Sequence, residues 1–150
     1  MRVWRICRPE HARFDGEGAR LVGGRWNRIG ASMVYTASSL SLAVLELLVH
    51  LDLAQMPSGL VSIPADIPDS LHVETLTDSD LPAGWADPGP PRSTQALGTA
   101  WLKRGATAVF SVPSVVVPIE RNYLLNPAHR DFSKIRIGAP VPLEVDRRLR

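Results

Sequence analysis

Hydrophobic and polar positions along this chain form short runs rich in β-branched and aromatic residues, a pattern that is typical of β-strands. The runs are separated by polar segments that contain glycine and proline, the residues that favour turns. They predict about seven short strands among the segments 2–7, 32–37, 59–67, 70–76, 107–112, 114–119, 134–138 and 141–145. Pro64 and Pro68 favour an edge position for the strand at 59–67, because proline cannot donate a ladder hydrogen bond.

Two segments predict helices. The sequence "SSLSLAVLELLVHLDLA", 38–54, offers Ser38 or Ser39 as an N-cap and is apolar on nearly every face, which predicts a buried helix. The segment 93–105 begins with cap residues and ends in Lys-Arg-Gly, as helices often do. A proline-rich loop over 78–92 precedes it. Strands and helices together predict an α+β fold around a compact sheet.

Length and composition favour an ordinary globular protein. The chain has 150 residues, of which 45% are hydrophobic and 21% charged, so one domain over 1–150 is expected. Its single cysteine excludes an internal disulfide, and no signal peptide or membrane span is evident, so we expect a cytoplasmic protein without membrane contact. A net charge of +2 without a basic stripe argues against direct nucleic-acid binding.

Glu46 and Arg25 are the first candidates for chemistry. Glu46 lies among leucines in the helix predicted to be buried, so its carboxylate needs a partner or a raised pKa. The alternative is an exposed stripe shared with His50, four residues away. Arg25 lies in the loop "GGRWNRIG", where glycines allow close backbone approach and a guanidinium can bind phosphate or carboxylate. The alternative is a surface loop with a packed tryptophan.

Four further residues are weaker candidates. Tyr35 suits the core, although its ring could also form a stacking wall. Ser114 is outside a G-x-S-x-G elbow and so is not expected to be a hydrolase nucleophile. Asn122 and Asn126 flank an apolar "YLL". The sequence contains no P-loop, dinucleotide-binding glycine motif or Cys/His metal spacing, so no metal is expected.

Several blocks, taken in order, resemble the RES-domain family, small toxins of bacterial toxin–antitoxin pairs named for an Arg, a Glu and a Ser. They are "WRI", "GGRWNRIG", "MVYTASSLSLAVLELLVHL" and "VPSVVVPIERNYLLNPAH". The resemblance extends from about Val3 to the final strand, and only the segment 66–100 lacks a match. That segment could carry the choice of target.

The resemblance implies an ADP-ribosyltransferase-like fold, with a split β core, a buried helix after the second strand and a cleft for NAD+. Arg25, Glu46 and Ser114 match the name-giving residues, and Tyr35 matches the active-site tyrosine. Trp26, Asn122 and Asn126 join Arg25 and Tyr35 as expected NAD+ contacts.

The family's chemistry suggests a role for each residue. Glu46 would stabilise positive charge on the ribose as nicotinamide leaves, and Arg25 would hold the phosphates or the ribose. Tyr35 would stack on nicotinamide, and Ser114 would either contact NAD+ or position Glu46.

The implied function is that of a toxin that degrades NAD+ at the nicotinamide–ribose bond, by hydrolysis or phosphorolysis, and arrests growth. One alternative is a protein ADP-ribosyltransferase toxin that uses NAD+, and another is a non-catalytic nucleotide-binding regulatory module. The implied partner is a cognate antitoxin of the Xre type, which carries a helix-turn-helix. The resemblance also suggests a toxin homodimer within the toxin–antitoxin complex.

Overall fold

A single twisted sheet organises the computed structural model, which describes residues 1–51 and 57–149. Within this part of the chain the sheet has eight strands. They are β1 (Arg2–Cys7), β2 (Val34–Ala37), β3 (Val61–Asp66), β4 (Val73–Thr75), β5 (Val109–Pro113), β6 (Arg121–Leu125), β7 (Arg136–Ile137) and β8 (Val141–Pro142). Their order is β4-β5-β6-β2-β1-β3-β7, and β8 also pairs with β3. The β4–β5 pair is parallel and the other pairs are antiparallel.

Three α-helices lie in the same described ranges: α1 (Glu17–Val22), α2 (Leu40–Leu48) and α3 (Arg92–Arg104). Helix α1 was not predicted, because two glycines and a short polar sequence favour a loop. Helix α2 begins where the sequence predicted a helix, and Ser39 caps it by accepting a hydrogen bond from the Leu42 amide. Residues 52–54 of the predicted helix lie outside the described residues. No helix in the described part is long and apolar enough to cross a membrane.

Helix α2 is buried along one side only, which corrects the expectation of burial on every face. Leu42 and Ala43 are buried against the sheet, whereas Leu45 is 41% exposed and Val49, just after the helix, is 58% exposed. A helix that is apolar on nearly every face is therefore not always enclosed by the core, because here only one of its sides packs on the sheet, against β1 and β2.

The strand predicted over 114–119 is wrong, and β6 was missed. After β5 the chain makes a turn, because the Ser114 hydroxyl accepts hydrogen bonds from the amides of Val116 and Val117. The β-branched run "SVVVPI" therefore forms a loop despite its strand propensity. Strand β6 begins at Arg121, inside a segment whose charges and asparagines favoured a turn.

Strand β3 is not an edge strand, contrary to what its prolines suggested. It pairs with β1 along its whole length and with two short strands on its other side. Strand β7 pairs at residues 65–66 and β8 at residues 61–62, so Pro64 lies between them. The missing N–H of Pro64 thus falls where neither strand is paired, and its carbonyl accepts from the Gly138 amide.

The two faces of the sheet carry different clusters of buried residues. One face holds a core that includes Val3, Val34, Ile63, Val109 and Leu125. On the other face, a second core contains Trp26, Met33, Trp101, Phe110 and Leu124. Helices α2 and α3 pack on this second face, and the residues expected to carry the chemistry lie on the same side.

Candidate active site

Glu46 faces the sheet from α2, on the same side of the helix as the buried Leu42. Its Oε1 atom accepts hydrogen bonds from the Ser114 hydroxyl at 2.7 Å and from the Asn122 side-chain amide at 2.6 Å. The expected partner of the carboxylate is therefore present, and the alternative of an exposed stripe with His50 is wrong. Among the residues that the structure describes, Oε2 has no hydrogen-bond partner, so one oxygen is held and the other is free.

Ser114 is fully buried, and its hydroxyl binds both the Glu46 carboxylate and the backbone of the following turn. Its Oγ donates to Glu46 while it accepts from the amides of Val116 and Val117 at 3.0 and 3.1 Å. The side chain has no remaining surface for a ligand. Of the two roles expected for Ser114, this hydrogen bond favours positioning Glu46, and contact with NAD+ stays a prediction.

Asn122 links Glu46 to the middle of the sheet. It lies in β6 between Val112 of β5 and Ala37 of β2. Its Nδ2 binds Glu46, but its Oδ1 is buried and has no donor in the described part of the chain. A buried acceptor without a partner is costly, so this oxygen is an acceptor that a ligand beside Glu46 would satisfy.

Arg25 is half-buried, and its guanidinium is held from one end. Nη1 donates to the backbone carbonyls of Trp85 at 2.8 Å and Asp87 at 3.1 Å. The Nε and Nη2 atoms make no hydrogen bond to any described residue, and no described carboxylate forms an ion pair with Arg25. The charge of Arg25 is thus not neutralised by a described carboxylate and remains available to an anion.

Tyr35 uses its hydroxyl to hold the loop that carries Arg25. The hydroxyl donates to Asn27 Oδ1 at 2.7 Å and accepts from the Trp26 amide at 3.0 Å. Burial raises the pKa of Tyr35 above its ordinary value, although its hydrogen bonds and the nearby Arg25 charge oppose the shift. Tyr35 is therefore protonated at neutral pH, and both functions of its hydroxyl are already used.

Asn27 completes this network and was not identified from the sequence. It is fully buried, and its Nδ2 contacts the carbonyls of Ala19, Arg28 and Ala31 at 2.8–3.1 Å. Gly24 is required beside it, since a Cβ at that position would lie 2.5 Å from the Tyr35 hydroxyl. The only sequence signal was the position of Asn27 two residues after Arg25 in a glycine-rich loop.

Trp26 and Asn126 lie differently from the other expected contacts. Trp26 is 3% exposed and packs in the second core, so its ring is covered by the protein itself. Asn126 is 5% exposed, and its Oδ1 accepts from the Ala128 amide in the turn after β6. It is about 13 Å along the strand from Asn122. Both residues are therefore buried within the protein itself, and their contact with NAD+ stays a prediction.

The remaining candidates lie together on the second face of the sheet. Tyr35 pairs with Leu124, and Ala37 pairs with Asn122, so Tyr35 and Asn122 point to the same side. They are separated by about two residue steps, roughly 7 Å along the strands. Glu46 lies over Asn122 and Arg25 lies near Tyr35. The result is a polar site that has a held carboxylate on one side and an arginine on the other.

Solved structures identify the class of fold. The crystal structure of the M. tuberculosis MbcT–MbcA toxin–antitoxin complex includes a chain that resembles this protein with a TM-score of 0.78. The match covers 95% of this chain and 83% of the other at 20% sequence identity, so it shows the fold alone. The fold is α+β, and the likeness is consistent with the ADP-ribosyltransferase-like fold that the resemblance implied.

Sequence comparisons identify the family. The model of the RES domain matches residues 2–146, and the chain therefore belongs to the RES-domain toxin family. It is 39% identical over 139 residues to "Prs ADP-ribosylating toxin" of Sphingobium sp. strain YBL2, covering 89% of this chain and 86% of the relative. It is 38% identical over 136 residues to "Toxin Res" of Photorhabdus laumondii, with coverage of 89% and 86%. "Toxin Res" of Pseudomonas putida is 34% identical over 142 residues, with coverage of 91% and 92%.

Proposed function

We propose that this protein is a toxin that consumes NAD+ by cleaving the bond between nicotinamide and ribose. The observation that carries the proposal is the Glu46 carboxylate, which has one oxygen fixed by Ser114 and Asn122 and one oxygen without a partner among the described residues. The toxin class is supported by the relatives named toxins. The cleavage itself is inferred from the chemistry of the site.

Cleavage of this bond needs electrostatic help more than acid catalysis. Nicotinamide leaves as a neutral molecule, while positive charge grows on the ribose. A fixed carboxylate that need not reorganise stabilises such charge effectively. The two donors on Oε1 keep Glu46 in place, so Oε2 can bind a ribose hydroxyl or orient the group that attacks the ribose.

Other groups of the site suit a dinucleotide. The free nitrogens of Arg25 can bind the pyrophosphate, since a guanidinium recognises phosphate oxygens in a planar fork. The buried Oδ1 of Asn122 lacks a donor among the described residues and is an acceptor for a sugar hydroxyl that reaches it. Tyr35 supports Arg25 by holding the loop that carries it, and its hydroxyl neither donates nor accepts a proton in the proposed reaction.

The acceptor that reaches the ribose decides the reaction. Water would give hydrolysis, phosphate would give phosphorolysis, and a protein side chain would give ADP-ribosylation. The last is the second candidate, because a relative at 39% identity is named an ADP-ribosylating toxin. The likeness to a toxin solved with its antitoxin supports a cognate antitoxin, which we propose to be of the Xre type.

The direct test is nicotinamide release from NAD+ by the purified protein, measured for wild type and Arg25→Ala. We expect turnover by wild type and a rise in KM of about 10-fold or more for Arg25→Ala, because a charged hydrogen-bond donor is lost. Arg28→Ala is the matched control, since this arginine is in the same loop but exposed. NAD+ binding without nicotinamide release or protein modification would instead establish the regulatory-module alternative.

Ser114→Ala tests whether Ser114 positions Glu46 or binds NAD+ directly. The change removes one of the two donors on Glu46 and leaves two backbone amides without their acceptor. We expect kcat to fall by about 10-fold or more while the KM for NAD+ stays within about 2-fold, together with a loss of about 1–3 kcal/mol in unfolding free energy. Steady-state kinetics and urea denaturation provide both numbers. A large rise in KM with unchanged kcat would show that Ser114 contacts NAD+ instead.

A further inference from the structure

Segment 66–100 carries none of the sequence blocks that resemble the RES-domain family, yet two of its backbone carbonyls bind the side chain of Arg25. Arg25 is separated from Trp85 by 60 residues and from Asp87 by 62, yet its Nη1 atom donates to both carbonyls. We propose that residues 82–87, here called the 82–87 turn, form a positioning element that sets Arg25 for its anionic ligand. The inference rests on the proposed function, because the ligand is taken to be the pyrophosphate of NAD+.

The 82–87 turn is built to present these carbonyls. The Trp85 amide donates to the Pro82 carbonyl at 3.1 Å, and the Asp87 amide donates to the Gly84 carbonyl at 3.0 Å. Gly84 has φ +72°, a conformation that other residues rarely adopt. Two overlapping turns, 82–85 and 84–87, thus fix the backbone so that the carbonyl groups of Trp85 and Asp87 face Arg25.

Trp85 anchors the turn to the body of the protein. Its side chain is half-buried and packs against the second core, which also contains Trp26 from the Arg25 loop. The turn and the loop are therefore attached to the same group of packed side chains. Movement of one relative to the other would break either the packing or the hydrogen bonds to Arg25.

Carbonyl partners suit a positioning role better than carboxylates would. A guanidinium is planar and rigid, so holding Nη1 also fixes the directions of Nε and Nη2. Because backbone carbonyls carry no full charge, the positive charge of Arg25 remains available to a phosphate. The side chain is then ordered before the ligand arrives, which reduces the entropy cost of binding.

This arrangement makes the 82–87 turn an element of substrate affinity. A displaced turn would leave Arg25 present but less ordered, so NAD+ would bind more weakly while the Glu46 side of the site is unchanged. The expected signature is a rise in KM with little change in kcat. A residue that merely stabilises the fold would lower the active fraction and would not produce this separation.

Gly84→Val tests the proposal, with Gly89→Val as its matched control. Both glycines are exposed in the same loop with positive φ, at +72° and +79°. Valine is strained at both positive-φ positions, but only position 84 lies within the turn that holds Arg25, where a Cβ would also push the exposed Asp87 side chain aside. We expect Gly84→Val to raise the KM for NAD+ by about 10-fold. Gly89→Val should stay within about 2-fold of wild type, with kcat preserved in both.

The double variants show whether the effect passes through Arg25. In an Arg25→Ala background, Gly84→Val should have no further effect on KM, because the group that it displaces is gone. If the KM increases of Gly84→Val and Arg25→Ala multiply in the double variant, the proposal is overturned. Equal kinetics for Gly84→Val and Gly89→Val would also overturn it. If Gly84→Val does not fold by thermal melting, Gly84→Ala replaces it under the same criteria. An inactive wild type would refute the proposed function itself, an outcome separate from those that refute the turn.

Discussion

Glu46→Gln is expected to lower kcat for nicotinamide release by at least ~10²-fold and to leave the KM for NAD+ nearly unchanged. The scale is that of removing one group that stabilises charge in a transition state. Glutamine keeps the length of the side chain and an oxygen that can accept from Ser114 and Asn122. The negative charge is lost while the local hydrogen bonds can persist, so the variant isolates the charge.

Glu120→Gln is the matched control for this result. Glu120 is an exposed carboxylate at the end of the turn that begins at Ser114, and no described hydrogen bond uses its side chain. Both variants change the net charge by the same amount, so a general electrostatic effect would appear in both. Full activity of Glu46→Gln would remove the charge-stabilising role from the mechanism even if NAD+ remained the substrate. Thermal melting of both variants shows whether the fold is intact.

Local patterns predicted most elements of the fold but not the route of the chain after β5. Strand β1 and helix α3 were predicted to within about one residue, because alternation and cap residues mark them clearly. Strand β6 was missed because its inward positions include an asparagine and its first residue is an arginine. These polar residues have specific tertiary partners, which a local pattern cannot reveal.

The candidate site was predictable only in part from the residues themselves. A glutamate in an apolar helix predicted that a partner would be found, and the structure supplies Ser114 and Asn122. These partners lie 68 and 76 residues from Glu46 along the chain, so the local sequence around Glu46 could not identify them. The residues themselves suggested anion binding for Arg25 and stacking for Tyr35, and the family resemblance assigned both roles to NAD+. Their mutual arrangement depends on the buried Asn27 network.

The contact between α3 and the Arg25 loop could not be predicted, although it depends on one glycine. Gln95 donates to the Gly24 carbonyl at 3.0 Å, and the Thr99 hydroxyl accepts from the Arg28 amide at 3.1 Å. Between them, Gly98 lies directly against the backbone of Trp26. In the sequence this glycine only lowers helix propensity. The structure shows that a glycine is needed at position 98 because the Arg25 loop packs directly on the helix there.

Gly98→Ala is therefore expected to destabilise the protein even though alanine is the better helix former. A Cβ at position 98 would overlap the Trp26 carbonyl oxygen and lie 2.8 Å from its carbonyl carbon. Backbone cannot rotate away as a side chain can, so the helix and the loop must separate. We expect the overpacking to exceed the propensity gain of about 1 kcal/mol, with a net loss of about 2 kcal/mol in unfolding free energy.

The same separation should weaken NAD+ turnover, because the loop that moves carries Arg25. Gly18→Ala is the matched control: it is also a glycine within a helix, but a Cβ there has nothing within 4 Å. That substitution should leave turnover unchanged and stabilise the protein slightly. Urea denaturation and nicotinamide release measured on both variants separate the two outcomes. Equal stability and activity of the pair would mean that α3 does not hold the Arg25 loop, and the site would then need another support for its arginine.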